Sequence, residues 1–395
     1  MNTLRRAGWP QGLVVIMVGI LPMMAIVTLM PIVPAMVNHF QNVPDIQTWA
    51  PLVLSAPGLC VALFSPFAGV LADRIGRRRL LLAFTTLYGI GGVLPYFISS
   101  FDVLFGSRLL LGVGEAFILT LGNTLLGDYF EKEERAKWLA WQSFVGPALG
   151  ALLLASSGHL STIQWNLPFL IYGVALVMAG FAYFAAYEPT RVSAGGAATG
   201  SATTAPMHLP RALMVRIAVT TFVLAAVYFV YTLQFTLALD TMGVKDGTAI
   251  GKYSGIAAIG VPVGAILFKL ISGRSTVLQF TVVFMLLGLG MAGIGLGLGV
   301  NATVALAWIQ QLGSGMTIPV LLGWSLRELP GPVRGRGMGW WASAFFLGQF
   351  VSPLFVRFVN GWSGGLLHTF VVAGVLCIVI AVANALFSKR ATPAA

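Results

Sequence analysis

Apolar stretches of about twenty residues, each long enough to cross a hydrocarbon core about 30 Å thick, recur along this chain with little between them. They fall near 12–36, 49–71, 80–98, 103–126, 137–156, 166–187, 213–241, 249–271, 277–299, 303–326, 337–360 and 365–387. The glycine-rich run LLGLGMAGIGLGLGV is the least clear of the twelve. Of the 395 residues 57% are hydrophobic and 9% charged, against roughly 25% charged in soluble domains. The expectation is an all-α integral membrane protein with twelve transmembrane helices. The first stretch follows MNTLRRAGWPQ without a small-residue cleavage site and is expected to stay in the mature protein.

A net charge of +11 would suggest nucleic acid in a soluble chain, but its distribution gives it another meaning. Nineteen of the 23 basic residues fall on one side of the expected spans, while the opposite loops hold little more than Lys245 and Lys252. Orientation in membranes follows the Lys/Arg bias of short loops. Both termini are therefore expected in the cytoplasm, with a cytoplasmic (inner) membrane location and no nucleic-acid partner.

Between the sixth and seventh stretches lies EPTRVSAGGAATGSATTAPMHLP, rich in Gly, Ala, Ser, Thr and Pro. Such a composition buries no core and acts as a flexible linker. The expected division is 1–187, a linker at 188–212, and 213–395. The other connections are short, and no GxxxxGK[ST] segment supports direct use of ATP. The halves echo one another faintly. GVLADRIGRRRLL has a counterpart in GAILFKLISGRSTVL, and Asp128 and Arg135 in GDYFEKEERAKW are set against Glu328 and Arg334 in RELPGPVRGRGMGWW.

Three motifs carry chemistry. GVLADRIGRRR, Gly69 to Arg79, concentrates charge between two apolar runs. SRLLLGVGEAF holds Arg108 and Glu115 seven residues apart, which returns to almost the same helix face. Ionisable residues inside a membrane are costly and mark functional sites by default, and Glu115 is the acid at true midspan. SFVGPALGALL places Gly146, Pro147 and Gly150 in the fifth span. On these motifs the chain is similar to major facilitator superfamily transporters over nearly its whole length. Gly69, Leu71 to Arg74, and Gly76 to Arg78 resemble the superfamily signature between helices two and three. Arg108, Gly112, Gly114 and Ala116 resemble its Arg-x-x-x-Gly-x-Gly-x-Ala pattern. Gly146, Pro147 and Gly150 resemble the helix-five core of its drug and metabolite exporters, although Gln142 stands where the fuller pattern has glycine.

The resemblance implies two six-helix bundles and a carrier that alternates access to a site near the midplane. In that reading Gly69 lets helix two approach a neighbour closely. Asp73 sits at the positive end of a neighbouring helix beginning near Gly337, so that Gly69, Asp73, Arg74, Gly76, Arg77 and Arg78 form a gate clasp. Glu115 and Arg108 are expected to face one cavity and couple transport to protons. Tyr228, Tyr231 and Gln234 recur every three residues and, with Gln311 and Ser314 and with Gln349, are the polar candidates for meeting a small-molecule substrate.

The expected function is proton-coupled export of small amphipathic or hydrophobic compounds, as in twelve-span drug:proton antiporters, by a monomer that is not an enzyme. The alternative is a symporter or carrier of organic anions or lysolipid-like molecules, because GVGEA also resembles spinster-like transporters. A third reading is a receptor or assembly factor that uses the fold without transport. Cys60 and Cys377 are expected to be apolar filler. His39, His159, His208 and His368 are scattered, with no metal-binding spacing and no cofactor motif nearby.

Overall fold

The structure is a computed structural model that describes residues 7–189, 211–330 and 334–389. The expected linker therefore lies almost wholly outside the described residues, as do His208, Arg5, Arg6, Arg191 and Arg390. All described regular structure is helical. The helices are α1 (Trp9–Val27), α2 (Val33–His39), α3 (Ile46–Ile75), α4 (Arg77–Phe97), α5 (Phe101–Tyr129), α6 (Lys132–Ile163) and α7 (Val174–Ala185). They continue as α8 (Arg211–Thr241), α9 (Gly247–Ala258), α10 (Gly260–Ile271), α11 (Thr276–Gly295), α12 (Val300–Glu328), α13 (Arg334–Ser363) and α14 (Leu366–Lys389). Tight turns of 3-10 helix at Met30–Ile32 and Leu167–Gly173 precede α2 and α7. Proline removes an N–H and bars continuation of the preceding turn, and Pro31 and Pro168 sit in these two segments.

Eleven helical segments among the described residues are long and apolar enough to cross a membrane. The stretch expected at 137–156 lies in the 32-residue α6, whose described apolar part is the shorter Ala148–Ile163. The stretch expected to reach residue 299 stops at Gly295, because Gly297 (φ 63°) and Gly299 (φ 94°) take left-handed conformations that glycine alone adopts easily.

The chain divides into two compact units, Met1–Ile32 with Met36–Met207 and Val33–Ala35 with His208–Ala395. Within the first, α5 lies against α1, α3 and α4, while α6 packs on α1 and α7 on α4. Within the second, α12 lies against α10 and α11, α11 against α14, and α8 against α13. One long central helix thus organises each unit, α5 in the first and α12 in the second.

Candidate functional site

Two glycines admit α5 to the centre of the first unit. A Cβ at Gly112 would fall 2.5 Å from Pro57 Cα on α3, and one at Gly114 would fall 2.9 Å from the Phe84 carbonyl oxygen on α4. On either side of these close approaches the charged motif residues are buried, with Arg108 0% and Glu115 3% exposed.

Arg108 is held by backbone and rings. Its Nη2 donates to the carbonyl oxygens of Gly91 (2.9 Å) and Gly92 (3.0 Å), and its Nε donates to Ser107 Oγ at 3.3 Å. The guanidinium carbon lies 5.0 Å from the Tyr172 ring centre and 5.2 Å from that of Phe169. The cause is four residues beyond Gly91. Pro95 lies inside α4 and has no N–H for the carbonyl of Gly91, so the arginine supplies the missing donor.

No ion pair joins Arg108 and Glu115 among the described residues. Seven residues return to one face but also rise about 10 Å along the axis, and the guanidinium is drawn to the gap left by Pro95. Glu115 Oε2 and Arg108 Nη1 are both buried without a hydrogen-bond partner. Cys60, Tyr88 and Tyr172 lie within electrostatic reach of Glu115, but the tyrosine hydroxyls are committed elsewhere. Tyr88 donates to the Leu21 carbonyl (2.6 Å), and Tyr172 donates to those of Met24 (3.2 Å) and Ala25 (3.0 Å) on α1. A carboxyl in this position has its charge state decided by whatever water, cation or proton reaches it.

The charged knot is tied within its own unit. Gly76 joins α3 to α4 at φ 108°, and a Cβ there would fall 3.1 Å from Glu188 Oε2. Glycine is required on both counts. The Glu188 carboxylate accepts from the backbone N–H of Arg77 (2.7 Å) and Arg78 (2.9 Å), placing an anion at the positive start of α4. In return Arg78 donates to the carbonyls of Ala186 (2.8 Å) and Tyr183 (2.6 Å), the orphan acceptors at the end of α7. Arg77 bridges Asp128 at the end of α5 and Asp73, the latter at 3.6 Å. Arg74 is exposed. Gly69 corrects its expectation: a Cβ there would meet nothing within 4 Å, so no close helix approach occurs at that position.

In the helix-five motif, Gly150 makes room for Met23 of α1, whose Cε would lie 1.9 Å from an added Cβ; at Gly146 the nearest Met23 atom would lie 4.0 Å away. Gln142 is accommodated from the other side, because Gly19 on α1 lies beneath its amide. The helix runs unbroken through Pro147, whose side chain is outside the described set.

The description Major Facilitator Superfamily matches residues 15–302, well over half of the chain. The chain belongs to this superfamily. Its curated relatives include the class B tetracycline resistance protein of Escherichia coli, 28% identical over 165 residues (40% of this chain, 39% of that protein). Protein spinster of Drosophila melanogaster is 28% identical over 143 residues (35% and 24%). The matched part thus spans well under half the length of either relative. A bacterial homolog of the human lysosomal transporter spinster, solved inward-facing and occupied, shares the fold at a TM-score of 0.77 and 16% identity over 96% of both chains. The family and fold are those of multi-pass membrane transporters.

The remaining candidates lie in the second unit. Tyr231 is buried and stacks on Phe235 (4.6 Å between ring centres), whereas Tyr228 meets Phe345 of α13 at 6.3 Å. Gln234 is buried. Gln311 packs at the crossing of α12 with Gly260 of α10, and buried Gln349 has an unpartnered Oε1. No hydrogen bond or ring contact joins any two of these five among the described residues. Sequence reasoning missed Glu188, Pro95 and Gln310. The first is an acid just beyond an apolar run, the second a proline four residues after Gly91, and the third an amide fully buried with neither polar atom partnered.

Proposed function

We propose that this chain is a secondary active transporter that exports small amphipathic or hydrophobic compounds in exchange for protons by alternating access. In this reading it is a monomer with twelve helices in two six-helix bundles, 1–187 and 213–395, joined by a linker at 188–212. It lies in the cytoplasmic (inner) membrane with both termini cytoplasmic. The observation that carries the reading is Glu115, an acid buried in a spanning helix with one oxygen unpartnered, while the nearby arginine directs its Nη2 to backbone carbonyls. Among the described residues Glu115 makes no ion pair, as expected of a group that exchanges a proton. Arg108 acts as a positioning residue, and the Gly69–Arg78 knot is the gating element. Tyr228, Tyr231, Gln234, Gln311 and Gln349 offer polar contacts to substrate. The likeness to a tetracycline resistance protein supports export of a small organic compound.

The likeness to protein spinster favours a second reading, a carrier of organic anions or lysolipid-like molecules. Thermal stabilisation of the purified chain across a panel of amphipathic cations, neutral drugs and lysolipids selects compounds for proteoliposome flux under an imposed pH gradient. Export predicts accumulation of a cation or neutral compound driven by the gradient, with protons moving in opposition. Stabilisation by lysolipids alone, with flux indifferent to the gradient, supports the second reading instead.

A further inference from the structure

A cavity of about 660 Å³ opens between the α3–α4 turn and the end of α7, lined by Arg74, Gly76, Arg78, Arg79, Phe184 and Glu188 among others. Three guanidinium groups face one carboxylate there. That carboxylate is already engaged, with each oxygen on a backbone N–H of Arg77 or Arg78. Arg74 and Arg79 are exposed and make no ion pair among the described residues. Arg78 is fixed in place by its two carbonyl acceptors and lies 5.3 Å from the Tyr183 ring centre. The cavity therefore presents preorganised and free guanidinium donors, whose planar fork suits phosphate oxygens.

An independent feature ends at the same place. Leu170, Val174, Val177 and Phe184 are all exposed, Val177 by 72% and Phe184 by 86%. Spacings of three and seven put Val174, Val177 and Phe184 on one face of α7, and Leu170 is exposed in the 3-10 turn just before it. From Val174 to Phe184 the helix rises about 15 Å, half of a 30 Å hydrocarbon core. An exposed apolar stripe on a spanning helix meets acyl chains, and its last residue is a wall of the arginine cavity.

We propose that this cavity binds the phosphate of an anionic phospholipid from the leaflet on the arginine-rich side, with an acyl chain lying along the Val174–Phe184 stripe. Arg74, Arg78 and Arg79 hold the headgroup, and Tyr183 and Phe184 mark the boundary between headgroup and chain. A free anion would use the arginines and gain nothing from the stripe. The lipid thereby joins the α3–α4 turn to the end of α7 at the charged knot.

The full chain, purified in detergent and stripped of lipid, is mixed with equal phosphatidylglycerol and phosphatidylcholine, and retained lipid is read by native mass spectrometry. Wild type is expected to prefer phosphatidylglycerol, and R74Q, R79Q and the double variant to lose about fivefold of that preference per arginine removed. Arg336→Gln, which removes an exposed arginine in the second unit, is the control expected to change nothing. Phe184→Ser should weaken phosphatidylglycerol retention while leaving any binding of inorganic phosphate unchanged. Elution and melting temperature matched to wild type qualify each variant. An unchanged preference in the folded double variant would overturn the site. Full displacement of the lipid by millimolar inorganic phosphate, with Phe184→Ser behaving as wild type, would overturn the lipid assignment in favour of a soluble anion.

Discussion

At the α4–α5 crossing of the first unit, a Cβ on Gly91 would fall 3.1 Å from Leu111 N and one on Gly114 would fall 3.1 Å from Tyr88 N. At the α11–α12 crossing of the second, a Cβ on Gly290 would fall 2.5 Å from Gln310 N and one on Gly313 would fall 2.9 Å from Leu287 N, at the same spacing along the chain. The ends of the crossings correspond too. Arg135 donates to the Phe130 carbonyl (3.3 Å) and Arg334 to that of Leu329 (3.4 Å), while the Arg77–Asp128 contact has its counterpart in Arg327 donating to Thr276 (3.3 Å). In this register Pro95 and Arg108 match Ile294 and Ala307, and Glu115 matches Ser314. The proline gap and the arginine that fills it are present together in one unit and absent together in the other. The scaffold is repeated without charge in the second unit, so the arginine has a structural explanation and the acid does not.

That comparison can be broken at α11. Ile294→Pro places a proline where nothing at Ala307 can donate to the freed Gly290 carbonyl, and is expected to cost about 3 kcal/mol or more. The folded fraction in a denaturant titration measures it, and a cost below that of an exposed-surface substitution would undo the account of Arg108.

A smaller effect sharpens the same point. Arg108→Leu leaves the Gly91 carbonyl buried without a donor, a loss of about 1–3 kcal/mol. In a Pro95→Ala background, where the helix recovers its own N–H, the same change should cost at least about 1 kcal/mol less. Additivity in that double-mutant cycle would separate the arginine from the proline.

The smallest effects lie at the helix ends. Arg135→Ala removes donors to two carbonyls, those of Gly127 (2.9 Å) and Phe130, and should cost about 1 kcal/mol. Arg334→Ala removes one longer contact and should cost about half as much. The reverse order in melting temperature would argue against equivalent roles.

The helical spans were legible in the sequence because apolar length is a local signal. The glycine motif of α5 was legible for the same reason, since each glycine marks a backbone approach. What escaped was partnership across long separations. Helical spacing puts Arg108 and Glu115 on one face, yet says nothing of the proline on α4 that claims the arginine. Nor did the loop motif reveal that the start of α4 is capped by Glu188, more than a hundred residues away. Gln142 read as a departure from a glycine pattern until Gly19 on the facing helix supplied the missing space. The echo of Asp128 in Glu328 was one residue out of register. Arg327 holds the equivalent position, and Glu328 pairs with Arg216 at 2.5 Å.

The central claim is that Glu115 carries the coupled proton, and it rests on an acid that the repeated scaffold does without. Glutamine keeps its size and much of its hydrogen bonding but cannot titrate. The direct measurement is substrate flux in proteoliposomes, comparing Glu115→Gln and Ser314→Ala with wild type, once under an imposed pH gradient and once as exchange without one. The account predicts that Glu115→Gln abolishes gradient-driven flux while exchange persists, and that whatever flux Ser314→Ala supports still responds to the gradient. Full gradient-driven flux in Glu115→Gln would contradict it.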